Sequence, residues 1–205
     1  MNLDIPLDQG TWLNTNVIDL QSLGGVCHAM STEWVLTTLQ NQPWDIETAY
    51  LRGVSHQRAY ALRWEYALRG NWGGAQYAQY LQIAASPTQR FIEDPARRQG
   101  RPFHAHHVHS LIQMAPHLAL AAGSGAVIVM FGSDANQPAT AQNWGHTVAM
   151  VRTGAGIYQF LDVNEGRYSW QAGATNAVVA QEVRQKLRDC YWGWGIRDIY
   201  IFKVG

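Results

Sequence analysis

Apolar residues recur every three or four positions through most of the first half of the chain, the spacing of one face of a helix. Proline or glycine follows most of these periodic stretches and ends them. Residues 1 to 20 are less regular, and we expect a short strand or extended arm there. The pattern predicts helices over 27–40, 45–52, 55–69, 74–85 and 108–122.

From Gly125 onward the pattern changes to one typical of strands. Two β-prone runs, 143–151 and 156–162, are joined by a short glycine-containing connection and predict a hairpin. The other expected elements are strands at 126–132, 168–170 and 197–204 and a helix at 174–189. We therefore predict an α+β fold, with a helical lobe at about 21–122, an antiparallel β lobe at about 123–205, and a site in the seam between them.

Composition limits the function classes. A chain of 205 residues with 47% hydrophobic content can build one substantial core, so we expect a single domain over 1–205. Lys+Arg 15 and Asp+Glu 15 balance to a net charge of +0, which argues against a nucleic-acid partner. No apolar run approaches the length of a transmembrane segment, and the N-terminus lacks the pattern of a signal peptide.

The strongest chemical signal in the first half is Cys27. A glycine pair precedes it and a helical pattern follows it, which places the sulfur at or just before a helix N-terminus. The helix dipole and the unpaired N–H groups there favour a thiolate, the nucleophilic form of cysteine. Gln21 lies six positions upstream, and its amide could fold back to stabilise the oxyanion of an acyl-transfer intermediate.

The second signal is a histidine and an aspartate on the predicted hairpin. His146 begins one strand and Asp162 ends the next, so both fall at the end away from the connecting loop, within reach of a hydrogen bond. A carboxylate that holds one imidazole nitrogen leaves the other free to take a proton from Cys27. This is the nucleophile, base and orienting group of a cysteine hydrolase.

Three motifs resemble the YopT/AvrPphB-type cysteine proteases, bacterial effectors of the papain-like group. They are Gly-Val-Cys27 with Ser31 and Trp34 following, Gly-His146-Thr-Val-Ala, and Phe-Leu-Asp162-Val-Asn-Glu-Gly. They occur in the family's order and spread over most of the chain. The family usually has Asp-Pro-Asn after the second strand, whereas this chain has Val163 at the proline position.

The resemblance implies a papain-like fold in which Cys27 is the nucleophile, His146 the base and Asp162 the orienting residue, with Gln21 or backbone amides near Cys27 in the oxyanion hole. It implies no cofactor and no metal ligand. It further implies an effector or toxin that is secreted without a signal peptide, acts in the target cytoplasm and cleaves a protein of a host or competitor cell. Whether an immunity or chaperone protein also binds the chain is left open.

Two other classes of function remain open at this point. Protein glutamine deamidases and transglutaminases use the same Cys, His and Asp order, and a peptidoglycan amidase is a more distant enzymatic branch. The third class is a non-catalytic binding module, which the nine Trp and nine Tyr residues would suit.

Two segments of unusual composition are expected to be surface loops. Residues 87–102 carry four arginines between prolines, which is typical of a solvated connection. Residues 104–109 hold four histidines, but the run contains no Cys, Asp or Glu to complete a coordination sphere, so we expect no metal site there. Cys190 is expected to be a buried spectator, with no disulfide to Cys27.

Overall fold

The structure is a computed structural model that describes residues 1–16, 26–68, 77–133 and 143–205. Helices and antiparallel strands are mixed along these residues. The helices are α1 Gln9–Asn16, α2 Cys27–Leu39, α3 Ile46–Leu68, α4 Tyr77–Arg98, α5 Leu111–Met114 and α6 Asn176–Tyr191. The strands are β1 Asn2–Pro6, β2 Phe103–Val108, β3 Ser124–Ser133, β4 Asn143–Arg152, β5 Tyr158–Asp162, β6 Gly166–Ser169 and β7 Ile196–Val204.

The seven strands form one sheet in the order β1-β6-β5-β4-β3-β7-β2, and every neighbouring pair is antiparallel. Side chains on the central strand β3 alternate between two apolar clusters, one on each face of the sheet. Because both faces are covered, β3 is apolar at nearly every position rather than at every second one.

The first face of the sheet is covered by the long helices of the N-terminal half. Trp34 and Val35 of α2 are buried against it. Gly125 permits this close approach, since a Cβ atom at its position would lie only 2.7 Å from Cγ1 of Val35. Helix α2 thus has a fixed position on β3 and β4, which sets where its N-terminus lies.

The second face of the sheet is covered by α6 and by a short 3₁₀ turn at Ala115–Leu118. Val179, Val183 and Leu187 recur along α6 at four-residue steps and are fully buried. The hydroxyl of Thr175 caps this helix by accepting a hydrogen bond from the N–H of Val178. The molecule therefore has three layers, with the sheet between two helical ones.

The mixture of helices and antiparallel strands is as the sequence predicts, but the sheet is not confined to 123–205. Strand β1 at the N-terminus is the short strand expected there, and helix α1, which was not expected, follows it. The surface loop expected at 104–109 is wrong, because Phe103–Val108 is the edge strand β2, paired with β7 from Phe103↔Val204 to Val108↔Ile199. The helix expected over 108–122 is reduced to α5 and the 3₁₀ turn.

The expected loop at 87–102 is also wrong, since α4 continues through Pro87 and Pro95 as far as Arg98. Thr88, Ile92 and Ala96 are fully buried at four-residue spacing, and this packed stripe outweighs the helix-breaking tendency of proline. The helices expected at 45–52 and 55–69 are one helix, α3. No helix among the described residues is long and apolar enough to cross a membrane.

Candidate active site

Cys27 is the first residue of α2 and is only 6% exposed. Val26, at the capping position, provides no side-chain hydrogen bond to the helix end. The sulfur therefore lies beside the positive end of the helix dipole, where negative charge is stabilised. Cys27 is a free thiol, as is Cys190.

Two side chains in the first two turns of α2 bind the helix to β4. Nδ1 of His28 lies 3.2 Å from Oγ1 of Thr147, and the Ser31 hydroxyl donates to the Thr147 carbonyl over 3.2 Å. All three residues are buried. Thr147 follows His146 in the strand, so these bonds hold the start of α2 next to the imidazole.

The structure brings together the three residues that the sequence proposes as nucleophile, base and orienting group. The side chains of Cys27 and His146 lie close enough that each shifts the pKa of the other, and the backbone of Thr147 lowers the pKa of Cys27 further. Nε2 of His146 lies 3.1 Å from Oδ1 of Asp162. Since Nε2 faces the carboxylate, Nδ1 is the ring nitrogen left for the sulfur. The sulfur thus lies beside an imidazole that is hydrogen-bonded to a carboxylate.

The register of the hairpin explains the contact between His146 and Asp162. Strands β4 and β5 pair from Arg152↔Tyr158 to Ala149↔Leu161, so both residues lie at the end away from the connecting loop. Both are buried, at 4% and 0% exposure. A carboxylate buried to this degree must be compensated by hydrogen bonds or charge.

Asp162 is compensated by three donors from three parts of the chain. Besides His146, the backbone N–H of Asn164 donates to Oδ1 over 3.0 Å, and the Tyr191 hydroxyl donates to Oδ2 over 2.7 Å. The same hydroxyl oxygen lies 3.0 Å from Nε2 of His146. Tyr191 therefore contacts both members of the pair and shields them from solvent.

The electrostatics favour a thiolate–imidazolium pair. Burial alone would lower the pKa of His146, but the charge of Asp162 and its hydrogen bond, with smaller contributions from Cys27, raise it to about 10. For Cys27, burial acts in the opposite direction and raises the pKa. The interaction with His146 and its charge outweigh burial, so the pKa of Cys27 is lowered overall. Burial also raises the pKa of Asp162. The charge and hydrogen bond of His146 are the main effects that outweigh burial, and the pKa of Asp162 is lowered.

His28, the neighbour of Cys27, is not a competing base. It is buried against Phe91, and this burial lowers its pKa to about 3 in spite of a backbone hydrogen bond with Thr88. The imidazole is therefore neutral at physiological pH and too weakly basic to accept a proton from a thiol. Its role is to fix the start of α2 on Thr147.

Two residues at the site have no signal in the sequence. Tyr191 is the last residue of α6 and lies beyond the helix expected at 174–189, and Gln9 belongs to a polar N-terminal stretch. Gln9 accepts from the backbone N–H of Val26 over 2.9 Å and donates to Oδ1 of Asn164 over 2.5 Å. It therefore connects the segment before Cys27 to the turn after Asp162.

Gln21, the expected oxyanion-hole residue, lies outside the described residues. One N–H of the Gln9 amide, which reaches the same segment from α1, is bonded to Asn164. Among the described residues, donor atoms close enough to share a metal ion occur away from this site, in His107 on β2, His109 just after β2 and Asp198 on β7.

No protein-family model matches the sequence, and no curated protein matches it. Among solved structures, the fold is similar to that of the Pseudomonas avirulence protein AvrPphB, with a TM-score of 0.55 and 18% identity. The match covers 88% of this chain and 91% of the other. The two proteins therefore share a fold over nearly their whole lengths.

Proposed function

We propose that the chain is a papain-like cysteine protease with Cys27 as nucleophile, His146 as general base and acid, and Asp162 as the orienting residue. The observation that carries the proposal is the placement of the Cys27 sulfur at a helix N-terminus beside an imidazole that a buried carboxylate holds. The fold shared with AvrPphB supports it independently of the three sequence motifs.

In the first half of the reaction the Cys27 thiolate attacks the carbonyl carbon of a peptide bond, and the carbonyl oxygen becomes an oxyanion. The backbone N–H of Cys27, at the helix start, and Gln21 are the proposed donors to this oxyanion. His146 then gives its proton to the leaving amine as the carbon–nitrogen bond breaks. The product is a thioester on Cys27 and a free new N-terminus.

In the second half a water molecule attacks the thioester, and His146 accepts the proton. The carbon–sulfur bond breaks, the acid product leaves, and the thiolate–imidazolium pair is restored. Asp162 and Tyr191 keep the imidazole in one orientation through both halves, because they occupy Nε2 and leave Nδ1 towards the sulfur. The proposed reaction therefore needs no metal or cofactor.

The test is N-terminal profiling of a host or competitor lysate treated with the wild-type chain or with Cys27→Ala. New N-termini that appear only with the wild type support the proposal. Cys190→Ala is the matched control, since Cys190 is the other free thiol and its pKa is raised by burial. Equal cleavage by wild type and Cys27→Ala would refute the assignment of the nucleophile.

The same samples distinguish the other reactions of a Cys, His and Asp triad. A glutamine deamidase increases the mass of a target side chain by about one dalton, and a transglutaminase leaves an isopeptide cross-link. Either product without cleavage would replace the protease proposal with an amide hydrolase or acyl transferase acting through the same three residues.

We also propose that the chain is an effector that acts on proteins inside another cell. The support is the shared fold with a bacterial avirulence protein and the resemblance of the motifs to secreted effectors. Fusion of the chain to a calmodulin-dependent cyclase reporter tests it, because the reporter gives a signal only inside a recipient eukaryotic cell. No reporter signal in exposed recipient cells, with the fusion produced in full by the bacteria, would contradict it.

A further inference from the structure

His107, His109 and Asp198 form a compact group at the edge of the sheet, apart from the candidate active site. Nε2 of His107 lies 2.7 Å from Oδ1 of Asp198, and Nδ1 of His109 lies 2.9 Å from the same oxygen. The donor atoms of the three residues all lie within 4.8 Å of one another. Two imidazole nitrogens thus converge on one carboxylate oxygen.

The pairing of β2 with β7 produces this convergence. His107 pairs with Tyr200, so continuing the antiparallel register by two residues brings His109 opposite Asp198, on the same face. The run at 104–109 contains no acidic residue, but the neighbouring strand supplies one. This is why the local sequence did not indicate a metal site.

The group is held in place by its surroundings. The ring of His107 stacks on Tyr200 with centroids 4.3 Å apart and planes at 2°. The backbone N–H of His109 donates to Oε1 of Gln113 over 3.0 Å. Asp198 is 5% exposed, with β3 on one side of its strand and β2 on the other. A ligand set whose side chains are already oriented loses little entropy on binding an ion.

We propose that His107, His109 and Asp198 bind a divalent transition-metal ion, with Zn²⁺ the best match to two imidazoles and a carboxylate. Bonds of about 2.0 to 2.2 Å in a tetrahedral site separate the ligand atoms by roughly 3.3 Å. The two contacts with Oδ1 of Asp198 need to widen by about half an ångström, and the two imidazole nitrogens, which lie within 4.8 Å of each other, turn towards the ion. The His107 and His109 side chains are 36% and 69% exposed, which lets an ion enter from solvent and leaves a coordination position for water.

The site is distinct from the Cys27–His146 pair. Asp198 lies on β7, and β3 separates this strand from β4, which carries His146. At about 4.8 Å per strand, the two backbones are on the order of 10 Å apart. A bound ion links the edge strand β2 to β7 through side chains and stabilises that edge.

The test is titration of the full chain with Zn²⁺, monitored by calorimetry, in a Cys27→Ala background so that the active-site thiolate does not bind the ion. We expect one ion per chain, with a Kd of about 10 µM or tighter, and a rise in the melting temperature with Zn²⁺. Visible absorption bands of Co²⁺ in the same protein report a histidine-ligated site. Binding only above about 1 mM would overturn the proposal.

His109→Ala removes an exposed ligand and is expected to preserve the fold, while weakening Zn²⁺ binding at least about tenfold. Asp198→Asn tests the carboxylate while keeping its shape.

His104→Ala is the matched control, because His104 is an exposed histidine of strand β2 outside the group. His117→Ala controls for the stacked His106–His117 pair. Equal affinity in wild type, His109→Ala and Asp198→Asn would refute the site.

Discussion

The hydroxyl of Tyr191 donates a 2.7 Å hydrogen bond to Oδ2 of Asp162 and lies 3.0 Å from Nε2 of His146. The end of α6 thus closes the site from the side opposite Cys27. A carboxylate with no exposed surface is expensive to keep ionised unless several donors face it. The orientation of His146 therefore depends on a tyrosine as well as on the aspartate.

Tyr191→Phe removes this donor and keeps the ring. A hydrogen bond to a charged group contributes about 1.5 to 3 kcal/mol, so we expect kcat/KM to fall roughly tenfold to a hundredfold. The acid limb of the pH profile should also move to higher pH, because Asp162 loses a contact that lowers its pKa. The profile is measured on the protein substrate found by N-terminal profiling.

Tyr158→Phe is the matched control for that variant. Tyr158 is equally buried, and its hydroxyl bonds to Asn176 and to the Leu120 carbonyl, remote from His146. We expect it to lower thermal stability with little effect on the pH profile. The same acid-limb shift in both variants would show that Tyr191 acts only through overall stability.

The two free thiols should differ in reactivity. The pKa of Cys27 is lowered, chiefly by His146 acting against burial, whereas burial raises the pKa of Cys190. At about pH 6 a thiolate paired with an imidazolium reacts with iodoacetamide, while an ordinary thiol is almost fully protonated. We expect alkylation of Cys27 at least about tenfold faster than of Cys190, measured by peptide mass spectrometry.

His146→Ala provides the decisive comparison for thiol reactivity. The variant lacks the imidazolium that stabilises the thiolate. Alkylation of Cys27 by iodoacetamide should therefore become slow at about pH 6 and become fast again only in alkaline solution. A Cys27 that remains fast in this variant would indicate that the helix N-terminus alone activates the sulfur.

The parts of the site that local patterns can predict are those set within one element or one hairpin. Cys27 follows glycines at a helix start, and the hairpin register brings His146 to Asp162. Tyr191 and Gln9 reach the site from α6 and α1. Tertiary packing brings them there, and the spacing of residues along the chain does not predict it. Asp198 joins the histidines for the same reason, because strand pairing brings it next to His109.

The pH dependence of activity should reflect the raised pKa of His146, which is about 10 against an ordinary value of 6.5. The imidazolium then persists well above neutral pH, and activity is lost only as the pH rises towards about 10. By linkage, the shift also contributes stability that is complete below pH 6.5 and disappears as the pH approaches about 10.

Asp162→Asn tests whether the charge of Asp162 is what raises the pKa of His146. The amide can still accept from Nε2 but carries no charge, so the pKa of His146 should fall and the alkaline limb of the activity profile should move to lower pH. We expect activity to decrease less than in His146→Ala, since orientation is partly kept. An unchanged alkaline limb would assign that limb to another group.

The position of α2 should be sensitive to volume at Gly125. A Cβ atom there would lie 2.7 Å from Cγ1 of Val35, 3.1 Å from Cγ1 of Val151 and 3.2 Å from the Met150 carbonyl oxygen. Branched side chains and backbone cannot move away easily, so Gly125→Ala should reduce the free energy of unfolding by about 1 to 3 kcal/mol. Gly154→Ala is the control, since nothing lies within 4 Å of its Cβ position. Urea unfolding of both variants measures the difference.

The last prediction concerns Gln9, which joins the segment before the nucleophile to the turn after the orienting carboxylate. Its Oε1 accepts from Val26, its Nε2 donates to Asn164, and its backbone N–H donates to the Val163 carbonyl. Gln9→Ala leaves the buried Val26 N–H without this acceptor, which should cost about 1 to 3 kcal/mol of stability. Because the same bonds set the separation of Cys27 from Asp162, we expect kcat to fall with KM little changed.

Gln9→Glu separates the two bonds. Glutamate keeps an acceptor for Val26 but cannot donate to Asn164, so its carboxylate faces the Asn164 oxygen. We expect stability and activity between those of wild type and Gln9→Ala, because the Asn164 amide can turn its N–H₂ towards Glu at position 9 only by giving up its contact with the Tyr191 hydroxyl. A double-mutant cycle over Gln9→Ala and Asn164→Ala measures the coupling, which should be at least about 0.5 kcal/mol for a direct contact. Additive effects would mean that Gln9 acts through Val26 alone.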